Sequence, residues 1–350
     1  MPSKKIIFHI GTTKTGTTSI QHSLINNQAY LFDKFSIHVP ISNRLEKKIK
    51  LKERGEKDFI GGGNFEKKVI GSFREGDFVT AHNLLSAMFR TASQKEALTT
   101  IYSAEVLLGL GESKKACEIL GETSRQYFDD VQIICCVRPP LDHASSQYSE
   151  SVKRRRQTKS FNDCLNDVCL DVGSKLYNFS QVFGADNISV MPYEDPEKRS
   201  LVKRFFRLVD ERLLDDTTFF GKIESMQHFN RSFSPLECEA ARLLNKFLRN
   251  FLLDRVTFVE AYNSYLSKYK KDSLRQYHYV SESSLKSFEE LNEESLSVVN
   301  QIGGTSIPIF SSRYREGVTT ANQAFSQEEE MKIQEVTWRL LQELNIPFEA

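Results

Sequence analysis

The sequence has one tryptophan, almost no net charge and no long apolar run. Lys and Arg number 47 against 46 Asp and Glu in 350 residues, a formal net charge of +1. A general nucleic-acid binder is strongly basic, so that class is excluded, although a local basic pocket is not. The longest apolar stretches, Val131–Val137 and Ile6–Ile10, fall far short of the roughly 20 residues a spanning helix needs. No transmembrane segment is expected. Lys4 and Lys5 precede an apolar stretch, but it stops at Gly11 and runs into a Thr-rich loop, which argues against a signal peptide. The six cysteines (Cys117, Cys135, Cys136, Cys164, Cys169 and Cys238) include no CxxC pair. Reduced thiols and a cytoplasmic location are expected. No cluster of His, Cys and acidic residues has metal-ligand spacing, so no metal is expected. No internal repeat is found.

What is present is a globular composition, 39% hydrophobic and 11% aromatic, incompatible with a disordered chain. Short apolar runs at Lys4–Ile10, Phe35–Val39, Phe78–Ala81, Thr99–Tyr102, Val131–Val137 and Asn187–Met191 read as strands. Helical stretches are expected from Gly16 to Gln28, Ser113 to Tyr127, Pro140 to Arg156 and Ser160 to Phe183. Strands alternating with helices predict an α/β fold, a P-loop-like parallel β-sheet flanked by helices. The polar stretch 42–76 reads as loop and broken helix. The last third is mainly helical, over Pro235–Leu253, Ser284–Asn300 and a capped helix from Ser326 to about Leu344. The expected organisation is an α/β core over 1–210 and a helical portion over 211–350 packed on it.

The segment Gly11-Thr12-Thr13-Lys14-Thr15-Gly16-Thr17-Thr18 follows a strand and opens a helix. Backbone N–H groups converge on an anion at such a turn, and the helix N-terminus adds partial positive charge. Lys14 supplies a full charge; Thr17 and Thr18 supply hydroxyls. Gly11 and Gly16 have the spacing of the nucleotide phosphate loop GxxxxGK[ST], but Thr17 stands where that loop has its lysine. The lysine lies on the crown of the loop instead, which weakens an ATP or GTP reading. The alternative is a Thr-rich turn with a solvated lysine.

At the end of the run Val131–Val137 stands Arg138, then Pro139-Pro140 and a helix that places Ser146 two turns in. Ligands of open α/β sheets bind beyond the carboxyl ends of strands. An arginine with a serine hydroxyl makes a phosphate site; the plainer reading is Arg138 in an ion pair. Together with Phe183-Gly-Ala-Asp-Asn-Ile-Ser-Val-Met-Pro-Tyr-Glu194, these motifs resemble the sulfotransferases that use 3′-phosphoadenosine 5′-phosphosulfate (PAPS), above all bacterial carbohydrate-type members. The likeness covers about residues 5–200. It implies that Thr13, Lys14, Thr15, Gly16, Thr17 and Thr18 hold the 5′-phosphosulfate. Arg138 and Ser146, eight residues apart, would hold the 3′-phosphate. PAPS would be the co-substrate, and the acceptor a hydroxyl on a carbohydrate, glycolipid or other small molecule. Thr13 departs from relatives that carry His or Pro before the lysine.

Sulfuryl transfer to a hydroxyl needs a base. Glu105, in Ser103-Ala-Glu105 after the run Thr99–Tyr102, is the first candidate, and relatives carry a similar segment. Its plain reading is a helix N-terminal carboxylate favoured by the dipole. His82, after Phe78–Ala81, is the second candidate. His9 and His143 read as packing or orienting residues, the run Lys153–Arg156 as a solvated helix end, and Trp338 as packed on the core. Two other readings stay open: a P-loop kinase or NTPase, and an inactive nucleotide-binding module on the same fold. Oligomeric state is left open by the sequence.

Overall fold

The structure is a computed structural model. It describes residues 2–12, 14–42, 45–46, 63–165, 168, 170–194, 200–215, 219, 233–250, 255–269, 274–275, 278–311 and 325–346. In chain order the elements are β1 (Lys5–Gly11), α1 (Thr17–Asn26), α2 (Gln28–Phe35), β2 (Ile37–His38), α3 (Lys67–Arg74), α4 (Phe78–Ser93) and β3 (Thr99–Ser103). A 3-10 stretch (Glu105–Glu112) leads to α5 (Lys114–Arg125), β4 (Asp130–Val137), α6 (Pro140–Arg155), α7 (Phe161–Leu165), α8 (Val172–Phe183) and β5 (Ile188–Pro192). The helices α9 (Leu201–Val209), α10 (Pro235–Phe247), α11 (Arg255–Lys268), α12 (Glu282–Gly303) and α13 (Gln327–Glu343) follow.

The chain forms two compact units: Met1–Arg138 with Asp171–Gln227 and Glu294–Ile307, and Pro139–Leu170 with His228–Glu293 and Pro308–Ala350. The segment that carries α6 belongs with the C-terminal helices rather than with the sheet.

The first unit holds a five-stranded sheet in the order β2-β3-β1-β4-β5, with every pairing parallel. Residues Ile6 to Gly11 of β1 are all buried, as a central parallel strand covered on both faces requires. Side chains alternate between those faces. Ile7, Ile101, Ile134 and Cys136 pack with Ile20 and Leu24 of α1 and with Phe205 and Phe206 of α9. Phe8 points the other way, 5.9 Å from Phe89 of α4. The chain leaves β1 toward β2 on one side and β4 toward β5 on the other. Their adjacent carboxyl ends thus form the switch point at which α/β folds place ligands.

The second unit is helical. Leu141, Ala144, Tyr148 and Val152 of α6 share a core with Leu236, Ala240 and Leu244 of α10, Tyr262 of α11 and Val336 and Leu340 of α13. Both α10 and α13 begin with a serine capping box, Ser234 with Glu237 and Ser326 with Glu329.

Several sequence expectations need correction. Phe78–Ala81 is not a strand: it is the first turn of α4, capped by Asp77, whose carboxylate accepts from the Thr80 N–H at 3.0 Å. The stretch Ser160–Phe183 is two helices, α7 and α8. Helix α10 ends at Phe247, and 251–254 lie outside the described residues. Within 42–76, α3 is a regular helix, while 47–62 lie outside them. Trp338 is 53% exposed, because the buried stripe of α13 runs through Ile333, Val336, Leu340 and Leu341.

Candidate functional site: an anion cradle at the carboxyl ends of β1 and β4

The loop after β1 turns on two left-handed residues, Lys14 (φ 65) and Gly16 (φ 69). Gly16 is the N-cap of α1, and no side chain caps that helix or places an acid in its first turn. The positive end of the helix dipole is thus open to an external anion, while the Ser19 N–H already donates to the Gly16 carbonyl at 2.9 Å. Glycine is required at 16 for two reasons. The left-handed backbone disfavours a Cβ, and a Cβ there would stand 2.5 Å from Leu201 Cδ2 and 3.2 Å from Tyr193 Cε2.

The threonines divide their tasks. The buried Thr15 hydroxyl donates to the Thr12 carbonyl at 2.5 Å, which ties the loop to itself. Thr17, also buried, donates its hydroxyl to the carboxylate of Glu105, the first residue of the 3-10 stretch after β3. Thr12 is 5% exposed, and its Oγ1 has no hydrogen-bond partner among the described residues. A buried hydroxyl without a partner is a cost that a bound ligand would relieve. Thr12 is absent from the set read off the sequence; its distance from the lysine and the helix gave no signal. Thr18 is the second residue of α1, and Thr13 lies outside the described residues.

Arg138 follows the last residue of β4. Its Nη1 lies 3.5 Å from the Lys14 carbonyl, and its guanidinium lies over the Tyr193 ring, 4.9 Å from the centroid. Its Nε is buried and has no partner among the described residues. Lys14 and Arg138 therefore meet in space. Ser146 belongs to the second unit, two turns into α6.

His82 sits in the second turn of α4, not at a strand end. Glu105 is thus the candidate base that the structure joins to the loop. His9 is buried in β1, with Nδ1 2.7 Å from Ser103 Oγ and its ring against Phe205. Burial pushes its pKa down to about 3, so the ring is neutral. His143 is buried in α6 and bonded to Gln147 at 2.8 Å. The run Lys153–Arg156 is more than a solvated end. Lys153 and Arg154 pair with Glu150, and Arg156 donates to the Leu248 carbonyl and covers the Phe258 ring.

Among the described residues, no group of three or more His, Cys, Asp or Glu side chains has an arrangement that would hold a metal. No helix there is long and apolar enough to cross a membrane.

The fold is α/β with a parallel sheet, and Lys14 and Arg138 lie together at its switch point. No protein-family model and no curated protein matches the sequence. Among solved structures, the chain is similar to a sulfotransferase from Alicyclobacillus acidocaldarius. The identity is 12%, the alignment covers 90% of this chain and 99% of that one, and the TM-score is 0.37. A likeness at that level carries no argument about chemistry, so the functional reading rests on the residues of the cradle.

Proposed function

We propose that the protein is a sulfotransferase that moves a sulfuryl group from PAPS to an acceptor hydroxyl, on a carbohydrate or glycolipid. The observation that carries this reading is the approach of Arg138 to the carbonyl of Lys14. It brings two anion-binding elements together, as a donor with phosphate groups at both its 5′ and 3′ positions requires. The Thr12 hydroxyl and Arg138 Nε, which have no partner among the described residues, fit such a ligand.

In this reading the N–H groups of Thr15 to Thr18 and the Thr17 and Thr18 hydroxyls hold the 5′-phosphate. Arg138 holds the 3′-phosphate, with Ser146 assigned to it by the resemblance alone. The acceptor oxygen attacks sulfur in line and its proton passes to Glu105. The bond from sulfur to the bridging oxygen breaks, and 3′,5′-adenosine bisphosphate departs with the electron pair. Lys14 stabilises the charge that grows on that oxygen. The buried free thiols fit a reducing, cytoplasmic setting. A kinase or NTPase reading is disfavoured by Arg138 at the end of β4, where an acidic magnesium ligand would stand.

Calorimetric titration with 3′,5′-adenosine bisphosphate, 5′-AMP and ATP tests the proposal. Micromolar binding of the bisphosphate, weaker binding of AMP and loss of that difference in Arg138→Ala are expected. Equal binding of bisphosphate and AMP by the wild type would reject the donor.

A further inference from the structure

Arg138 can select a 3′-phosphate only if its guanidinium is held in place. A flexible arginine offers its donors in many directions, and fixing one costs side-chain entropy. The backbone of β4 fixes only its Cα. What fixes the head group lies on the neighbouring strand and helix of the same unit.

The β4–β5 ladder runs one step past the strand end, where the Tyr193 N–H donates to the Val137 carbonyl at 2.7 Å. This bond puts the Tyr193 ring beside Arg138, 4.9 Å from ring centroid to guanidinium carbon. The other edge of the ring meets the anion loop, since Cε2 lies 3.2 Å from the Cβ position of Gly16. Tyr193 is thus a wedge between the two halves of the cradle. The wedge is itself anchored. Arg204 of α9 donates through Nη1 to the Pro192 carbonyl and through Nη2 to the Tyr193 carbonyl, the latter at 2.7 Å. Two bonds to successive carbonyls fix the orientation of that turn as one bond does not. Helix α9 is packed at this point, with Phe205 and Phe206 fully buried against the sheet.

We infer that Tyr193 and Arg204 are positioning residues for phosphate selection. Arg204 sets the turn after β5, the turn sets the Tyr193 ring, and the ring holds the Arg138 guanidinium against the anion loop. The inference rests on the reading of Arg138 as the 3′-phosphate group. Its consequence is specific. Loss of the ring should weaken binding of a nucleotide with a 3′-phosphate more than binding of one without. A residue that merely supports the fold would weaken both alike.

The test is calorimetric titration of Tyr193→Leu, Tyr193→Phe, Arg204→Met and Arg204→Lys with 3′,5′-adenosine bisphosphate and with 5′-AMP. The readout is the ratio of the two dissociation constants within each variant, which is insensitive to the fraction of folded protein. Tyr193→Leu should reduce the preference for the bisphosphate about tenfold, between the sizes of an exposed and a desolvated cation–π contact. Tyr193→Phe should keep the preference, because the ring remains. Arg204→Met should lower the ratio in the same direction, and Arg204→Lys should restore part of it. An unchanged ratio in Tyr193→Leu, or an equal loss in Tyr193→Phe, overturns the inference. If Tyr193→Leu does not fold, the Arg204 pair decides: an unchanged ratio in Arg204→Met overturns it. A wild type without 3′-phosphate preference is a different outcome, which removes the donor assignment and this inference with it.

Discussion

The hydroxyl of Thr17 donates to the carboxylate of Glu105, so the proposed base and the proposed phosphate loop are already joined. A threonine has one hydroxyl proton. It cannot serve Glu105 and a phosphate oxygen at once. In the proposed reaction, a phosphate in the loop competes with Glu105 for the Thr17 hydroxyl proton. Thr17→Val should raise the dissociation constant of 3′,5′-adenosine bisphosphate about tenfold, the size of one charge-assisted hydrogen bond. Thr17→Ser should keep it. A Thr17→Val protein that binds as tightly as the wild type would take the hydroxyl out of the cradle.

Glu105→Gln preserves shape and removes the proposed base. Turnover on an accepting hydroxyl should fall by about 10²–10⁴-fold, with bisphosphate binding retained. His82→Asn should leave turnover near wild type, because His82 stands within a helix and not at a strand end. The reverse pattern in the two kcat values would make His82 the base.

Lys14 tests the charge-stabilising step. Lys14→Met keeps the methylene stem and carries the same left-handed backbone cost at φ 65. Its kcat should fall by on the order of 10²–10³, as for loss of a preorganised donor to developing charge. A kcat equal to that of the wild type would remove Lys14 from this role.

Two buried histidines should contribute to the loss of stability in acid. His9 of the first unit and His278 of the second are buried, and burial lowers each pKa to about 3. The unfolded value is 6.5. The unfolded chain therefore binds protons first as the pH falls. Their contribution is complete above pH 6.5 and is lost progressively from there toward pH 3. Each should remove about 2 kcal/mol between pH 7 and pH 5. Urea titrations of the wild type and His9→Gln over that range check the sign. Equal slopes for both proteins would show that His9 does not titrate on unfolding.

The parts of the fold visible in the sequence are those fixed by local pattern. β1 and β4 are apolar runs buried on both faces, and α13 carries its own capping box. Helix α4 was hidden because Phe78-Val79-Thr80-Ala81 favours a strand locally. The Asp77 cap and the buried spacing of Ala81, Leu85, Phe89 and Ala92 decide the matter. Lys14 and Arg138 are legible as strand-end cations. Their meeting is not, nor is the bond between Thr17 and Glu105, because both join residues far apart in the chain. Arg204 carries no sequence signal, since its partners are backbone carbonyls.

Two glycine substitutions of identical chemistry should have opposite effects. Gly71 lies inside α3, and a Cβ there meets nothing within 4 Å. Gly71→Ala should stabilise the first unit by about 0.5–1 kcal/mol, through lower backbone entropy in the unfolded chain. Gly16→Ala meets the left-handed backbone, which costs roughly 1–2 kcal/mol. It also meets Leu201 Cδ2 at 2.5 Å and Tyr193 Cε2 at 3.2 Å, an overpacking that costs about 1–3 kcal/mol. Leu201 can swing its methyl aside, but the Tyr193 turn is held by Arg204. The added methyl therefore displaces either the loop or the ring beside Arg138. Gly16→Ala should lose both stability and bisphosphate binding, while Gly71→Ala gains the first and leaves the second unchanged. Thermal melts and titrations on the same preparations separate the two effects. A Gly16→Ala protein that melts and binds like the wild type would mean that neither the left-handed turn nor the Tyr193 contact constrains the cradle.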